Sequence, residues 1–447
     1  MTATRTSSEL AGAWRLASCE AGRIACVLIV ETFVFIPYVV STMADDGAGA
    51  QTVLAVCCTA SGLFAAVTTP LLYALLRTAG SGKWVLGVVT VLLSLLLLAL
   101  WWVDPDGGLD STAAFVAIGL VNMVCAYRMV AEATIGSELL AQGEQSRASA
   151  NGAAIANVAS AALLVALLWG FVWPGTVTWW FVPAQPLLGL DALSYEPERA
   201  SGPLMAIVAM LSALPLLLMR RGGARSDPAR DTPIAFSKTL ATLKQAVTAS
   251  PSLVYYYLGR ITLANGLLTL VLFGGIFVSS DFRLSTTVRL LTGAVILFGA
   301  GLGVVADHAL NRRLGPRATL QIEMACITGW IVVQLGQSFL RIVLPKAIVV
   351  DLLVLSAFLG SAALLGASAS LPRGAVGQTL PEDPLPPSAL ALLASVTTWV
   401  GPLLVAIFTT VSRSVAAGLV PIVVMIALGF IALRRSNTLN GRALTTA

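Results

Sequence analysis

Charge is scarce in this chain. Asp, Glu, Lys and Arg make up 11% of its 447 residues and hydrophobic types 57%, too little charge to cover a soluble protein of this size. Histidine is reduced to His308, and the six cysteines (Cys19, Cys26, Cys57, Cys58, Cys125 and Cys326) form no Cys/His cluster at metal-ligand spacing. With none of them in an outer loop of the topology derived below, their expected role is packing and not disulfide stapling. A single histidine leaves no nucleophile, base and orienting group to assemble, which argues against an enzyme. Gly80-Ser81-Gly82-Lys83 lacks the leading glycine of a phosphate loop and is followed by Trp84 where Ser or Thr would bind magnesium. An ATP-driven pump is therefore not expected, nor is a metal or cofactor.

What the chain does have is long apolar runs. Crossing the hydrocarbon takes roughly 20 apolar residues per helix, and this criterion predicts twelve spans near 24–43, 51–76, 84–103, 112–140, 150–173, 203–219, 253–279, 286–307, 318–340, 347–371, 388–411 and 415–433. The first run has no small-residue cleavage site and reads as a retained span. The fold class expected is an all-α polytopic membrane protein with two six-helix bundles, residues 1–219 and 251–447. They are joined by a basic hydrophilic linker, 220–250, whose stretch Phe236 to Val247 has the look of an amphipathic helix on the membrane surface.

Lys and Arg near helix ends stay on the cytoplasmic side. With the N-terminus inside, nineteen of the 27 fall in cytoplasmic segments, six in outer segments (Arg289 among them), and Arg128 and Arg260 within spans. Both termini are thus expected in the cytoplasm of an inner membrane. The net charge of +5 reflects this topology and not nucleic-acid binding.

A charge inside hydrocarbon costs on the order of 3 kcal/mol or more, so each one is a functional hypothesis. Glu31, Arg128 and Arg260 lie roughly 10 Å deep at 1.5 Å per residue, on spans one, four and seven, and are expected to line one wet cavity. Glu31 is the proton-coupling candidate; Arg128, Glu132, Arg260 and Asn265 are substrate-binding candidates, with the two arginines expected to attract a carboxylate or other anionic group. Glu132 lies one turn from Arg128, so the alternative is that the two neutralise each other. Glu138, Glu323 and Asp351 lie near enough to membrane ends to reach water by snorkelling.

Short basic turns recur at the same step of each half, from Pro70 to Lys83 and from Gly303 to Arg317. The second, with Gly303, Asp307, Arg312 and Arg313, resembles the loop motif of the major facilitator superfamily, in which the aspartate helps lock the two halves; Arg77 occupies that place in the first. A closer resemblance is carried by Glu20-Ala-Gly-Arg23, the run Glu31-Thr-Phe33-Val-Phe35-Ile-Pro37-Tyr38, and Tyr257-Leu-Gly-Arg260 through Asn265-Gly266 to Phe273-Gly274-Gly275-Ile276-Phe277. In order along nearly the whole chain, these are similar to bacterial relatives of the vacuolar effluxer family. The resemblance implies a twelve-helix facilitator fold and gradient-driven movement of a small solute, amino acids being the substrate class of the eukaryotic members. It carries over Glu20, Arg23 and Arg260 by position, and with Arg77, Asp307 and Arg313 these supply the bundle-gating candidates Glu20, Arg23, Arg77, Asp307 and Arg313. Asn265 replaces an aspartate of the family pattern, and an amide exchanges no proton near neutral pH. The expected partners are a small-molecule solute and the lipid bilayer. A second reading, motivated by the missing aspartates, is a facilitator-like scaffold whose transport has lapsed and whose partner is another membrane protein complex.

Overall fold

The computed structural model describes residues 7–76, 82–140, 142–174, 177–191, 194–219, 251–282, 286–374 and 387–445. Lipid offers no hydrogen bonds to the backbone, so a spanning segment satisfies its own N–H and C=O groups by coiling. Eleven described helices are long and apolar enough to cross a membrane: α1 Leu10–Thr42, α2 Gly47–Leu76, α3 Gly82–Trp102, α4 Ser111–Leu139, α5 Ala148–Val172, α6 Glu196–Leu217, α7 Leu253–Phe277, α8 Thr286–Gly315, α10 Ala347–Gly366, α11 Ala389–Ser412 and α12 Val415–Arg435. A shorter apolar helix, α9 Ala325–Gln334, stands in the ninth place. The turns between them are built locally. Asp110 caps α4 by accepting from the Ala113 N–H at 2.8 Å, and Gly315, at φ 78°, bends the run Thr286–Val343 between α8 and α9.

Six helices precede the divider at 220–250 and six follow it, in the two-bundle arrangement of the major facilitator fold. In the first half α1 packs on α5 and α6, α2 on α4, and α3 on α4 and α6; in the second α7 packs on α12, α8 on α10, and α11 on α12. The pairs α1–α6 and α2–α4 recur as α7–α12 and α8–α10, which is the internal repeat at the level of packing. The halves meet through α1–α7, α2–α11, α4–α11 and α5–α8. The linker 220–250 with its expected amphipathic helix, and Arg77 in the first basic turn, lie outside the described residues.

The first span was expected at 24–43, but helix begins at Ser7, because Glu20 and Arg23 are taken into the bundle by partners described below. Nor is α1 a uniform α-helix: Val27–Phe33 is π-helical, with the Val34 N–H donating to the Ile29 carbonyl five residues back at 3.0 Å. The widened turn brings α1 onto α7. There the Thr32 hydroxyl donates to the Val271 carbonyl at 2.8 Å, and Gly275 sits so near the Thr32 carbonyl that a Cβ would collide with it.

A methyl group at Gly275 has to push the two halves apart, whereas one at Gly274 meets nothing within 4 Å. Gly275→Ala is expected to lower stability by about 1–3 kcal/mol, and Gly274→Ala to change it by less than about 0.5 kcal/mol. Thermal unfolding in detergent micelles measures the difference, and equal melting temperatures would show that this contact does not constrain the fold.

Candidate functional site

Arg128 and Glu132, four residues apart on α4, lie on one helix face and meet at 2.8 Å. Arg128 is fully buried and its other two nitrogens are bonded as well: Nη1 donates to the Ala209 carbonyl at 3.2 Å, and Nη2 to the Cys19 carbonyl at 3.1 Å and the Ser212 hydroxyl at 3.2 Å. The second Glu132 oxygen accepts from Arg23 Nε at 2.8 Å, and Cys19 Sγ donates to the first at 3.3 Å. Glu20, also buried, stands beside Arg23 and meets the Ser149 hydroxyl. The cluster joins α1, α4, α5 and α6 of one half. Arg128 and Glu132 are therefore corrected from substrate ligands to internal ties, because their hydrogen-bonding capacity is consumed within the bundle. Glu20 joins them there, while Arg23 also borders a crevice of about 70 Å³ between the halves.

Glu31 lies in the π-helical segment and is completely buried, with no hydrogen-bond partner for either carboxylate oxygen. The Asn122 amide is set against it without closing a bond of standard geometry, and Cys26, Cys58 and Cys125 stand around it. Asn122, Cys58 and Cys125 also wall the 70 Å³ crevice, opposite Leu268, Leu272 and Thr398 of the other half.

The second half uses its polar residues differently. Arg260 is half-buried and donates to the Tyr256 hydroxyl at 3.1 Å, its guanidinium 6.0 Å from that ring's centre. Asn265 ties α7 to α11 by donating to the Thr397 hydroxyl at 2.8 Å. Asp307 is buried, accepts from Asn311 at 2.6 Å and faces the Glu323 carboxyl, while Arg313 is exposed. Glu323 was expected to snorkel; instead it is buried against Asp307 and the backbone of Gly366, because the bend at Gly315 turns the helix back against α8 and α10.

A cavity of about 370 Å³ lies between the halves. Its wall comes from α1 and α5 on one side and α7, α8, α9, α10 and α12 on the other. Glu31, Arg128 and Arg260 do not line it, so the expected convergence of these three on one wet pocket is not found: Arg128 and Arg260 are held in separate contacts, and Glu31 is buried apart from both. The cation that does line it is Arg289, three residues into α8 and only 6% exposed, joined by Asn157, Trp330 and Gln334. Arg289 had been counted among the outer, topology-setting charges. The available signal was its place one turn inside an apolar span.

No protein-family model matches the chain, and no curated protein matches it. Solved structures do. The chain is similar to a bacterial homologue of the human lysosomal transporter Spinster in an inward-facing, unoccupied conformation (14% identity, 96% of this chain and 98% of that one, TM-score 0.56). It is similar to the xylose transporter XylE of E. coli in a partially occluded inward-open conformation (13%, 96% and 97%, 0.60), and to a bacterial homologue of the iron transporter ferroportin in an outward-facing state (14%, 98% and 100%, 0.58). At such identities the likeness establishes the fold.

Removing one partner from a buried ion cluster leaves charge uncompensated. Glu132→Gln is expected to destabilise the protein by about 3–5 kcal/mol, against about 1 kcal/mol or less for Glu31→Gln, which breaks no bond. Melting temperatures of the two purified variants decide this, and the reverse order would overturn the assignment of Glu132 as the structural carboxylate.

Proposed function

We propose that the chain is a secondary transporter moving a small solute across a membrane by alternating access. The observation that carries this reading is the 370 Å³ cavity walled jointly by helices of both halves, within the range of about 300–1,000 Å³ usual for small-molecule sites. The contacts α1–α7, α2–α11 and α5–α8 on its flanks are the ones that rocking of one bundle against the other would open and close. Positive-charge placement puts both termini in the cytoplasm of an inner membrane. The resemblance to the vacuolar effluxer family favours an amino acid or an organic anion as the solute.

We assign proton coupling to Glu31. Thr32, its neighbour, lines the cavity and holds α7, so a charge change at Glu31 acts on the turn where the halves touch. Sealing an ionised carboxylate without partners costs several kcal/mol; taking up a proton removes that penalty and permits the closed α1–α7 contact. Asp307 with Arg313, and Arg23 on the crevice between the halves, are assigned to gating.

Two measurements test the reading. In a variant freed of its native cysteines, Asn157→Cys should react with a membrane-impermeant maleimide from each face in turn; labelling from one face alone would overturn alternating access. In proteoliposomes, Glu31→Gln should lose uptake driven by a pH gradient while keeping counterflow exchange, and unchanged pH-driven uptake would remove Glu31 from coupling. Absence of all flux with stoichiometric co-purification of a membrane complex would establish the scaffold reading instead.

A further inference from the structure

The central cavity is walled mostly by aliphatic and aromatic groups. Two buried polar atoms on its wall lack a hydrogen-bond partner, Arg289 Nε and Trp330 Nε1, and both are N–H donors. No carboxylate lines the cavity among the described residues. A buried guanidinium whose donors are not all satisfied carries a desolvation penalty that an oxygen anion offsets, and its planar fork matches carboxylate and phosphate oxygens. A cation entering this space would meet a like charge and no acceptor of opposite sign.

Arg289 also borders a cleft of about 10 Å³ together with Val34, Phe171, Pro197 and Glu198. Glu198 opens α6 in the first half and Arg289 opens α8 in the second. The carboxylate acts electrostatically on the guanidinium without closing a salt bridge. Arg289 thus stands between a fixed countercharge in the opposite half and the open cavity.

We propose that the cavity binds an amphipathic organic anion, its carboxylate or phosphate head on Arg289 and its apolar body along α7, α10 and α12. This rests on the transporter reading above and specifies its substrate class. An anion on Arg289 replaces Glu198 as the countercharge, so occupancy weakens the attraction between the two halves at this neck. Trp330 supplies a second donor on the wall, which adds to the preference for ligands rich in acceptors.

The test is equilibrium binding to the purified full-length chain of four probes sharing one apolar body: 4-phenylbutyrate, 4-phenylbutyl phosphate, 4-phenylbutan-1-ol and 4-phenylbutylamine. At least one anion should bind about tenfold or more tightly than the alcohol and the amine, and the order of the two anions tells carboxylate from phosphate. Arg289→Gln should remove the advantage of the anion and leave alcohol binding unchanged, Arg289→Lys should retain part of it, and Glu198→Gln should tighten anion binding a few-fold. Equal binding of anion, alcohol and amine, no binding of any probe, or an unchanged preference in folded Arg289→Gln would each overturn the proposal. Should Arg289→Gln fail to fold, the wild-type order of the four probes decides alone. Two-sided labelling at Asn157 without anion binding would sink only the substrate class. Anion binding with one-sided labelling would sink the transport reading and leave the site standing.

Discussion

One carboxylate organises the first half of this protein. Glu132 receives a guanidinium on each oxygen, from Arg23 on α1 and Arg128 on its own helix, and Arg128 extends the tie to backbone and hydroxyl oxygens of α1 and α6. Charges in a low-dielectric interior persist only when their counterions and hydrogen bonds are complete. Glu132 with its two arginines meets that condition within a single bundle, while Glu20 beside them keeps one oxygen without a partner. The cluster also carries α1 as helix well before its apolar core begins, since Glu20 and Arg23 are stabilised inside and not in water.

An unmet polar group at the junction of the halves separates the candidates for work from the structural charges. Glu31 and Arg289 are buried as deeply as the cluster, yet Glu31 has no hydrogen-bond partner and Arg289 keeps an unsatisfied donor. Both stand where the halves meet, Glu31 in the π-helical turn that docks on α7 and Arg289 at the neck of the central cavity. A group whose polar needs are unmet in one conformation has a reason to favour another, or to take a ligand or a proton. Under the proposed alternating access, that is the property expected of the moving parts.

The second half shows how a departure from a family pattern is absorbed. Where the resemblance calls for an acid in α7, Asn265 forms a neutral bond to Thr397 on α11, a tie between helices that needs no proton. The acidic character of this half is concentrated instead at Asp307 and Glu323, which face each other behind Gly366. Neither is at the cavity wall, so ligand recognition in this half falls to Arg289, Trp330 and the apolar faces of α7, α10 and α12.

Eleven of the twelve expected spans, their division into two sets and the facilitator fold were legible in the sequence, because the length of an apolar run is a local property that the bilayer reads directly. So was the Arg128–Glu132 pair, since a spacing of four on a helix brings side chains together whatever surrounds them. What hydropathy and spacing do not carry is the rotation of each helix about its axis. That rotation is set by close packing at sites such as Gly275 against Thr32, and by partners distant in sequence such as Arg23 and Glu132. It decided that Arg128 faces its own bundle, that Glu323 is turned inward, and that Arg289, to all appearance a charge at the membrane edge, faces the cavity.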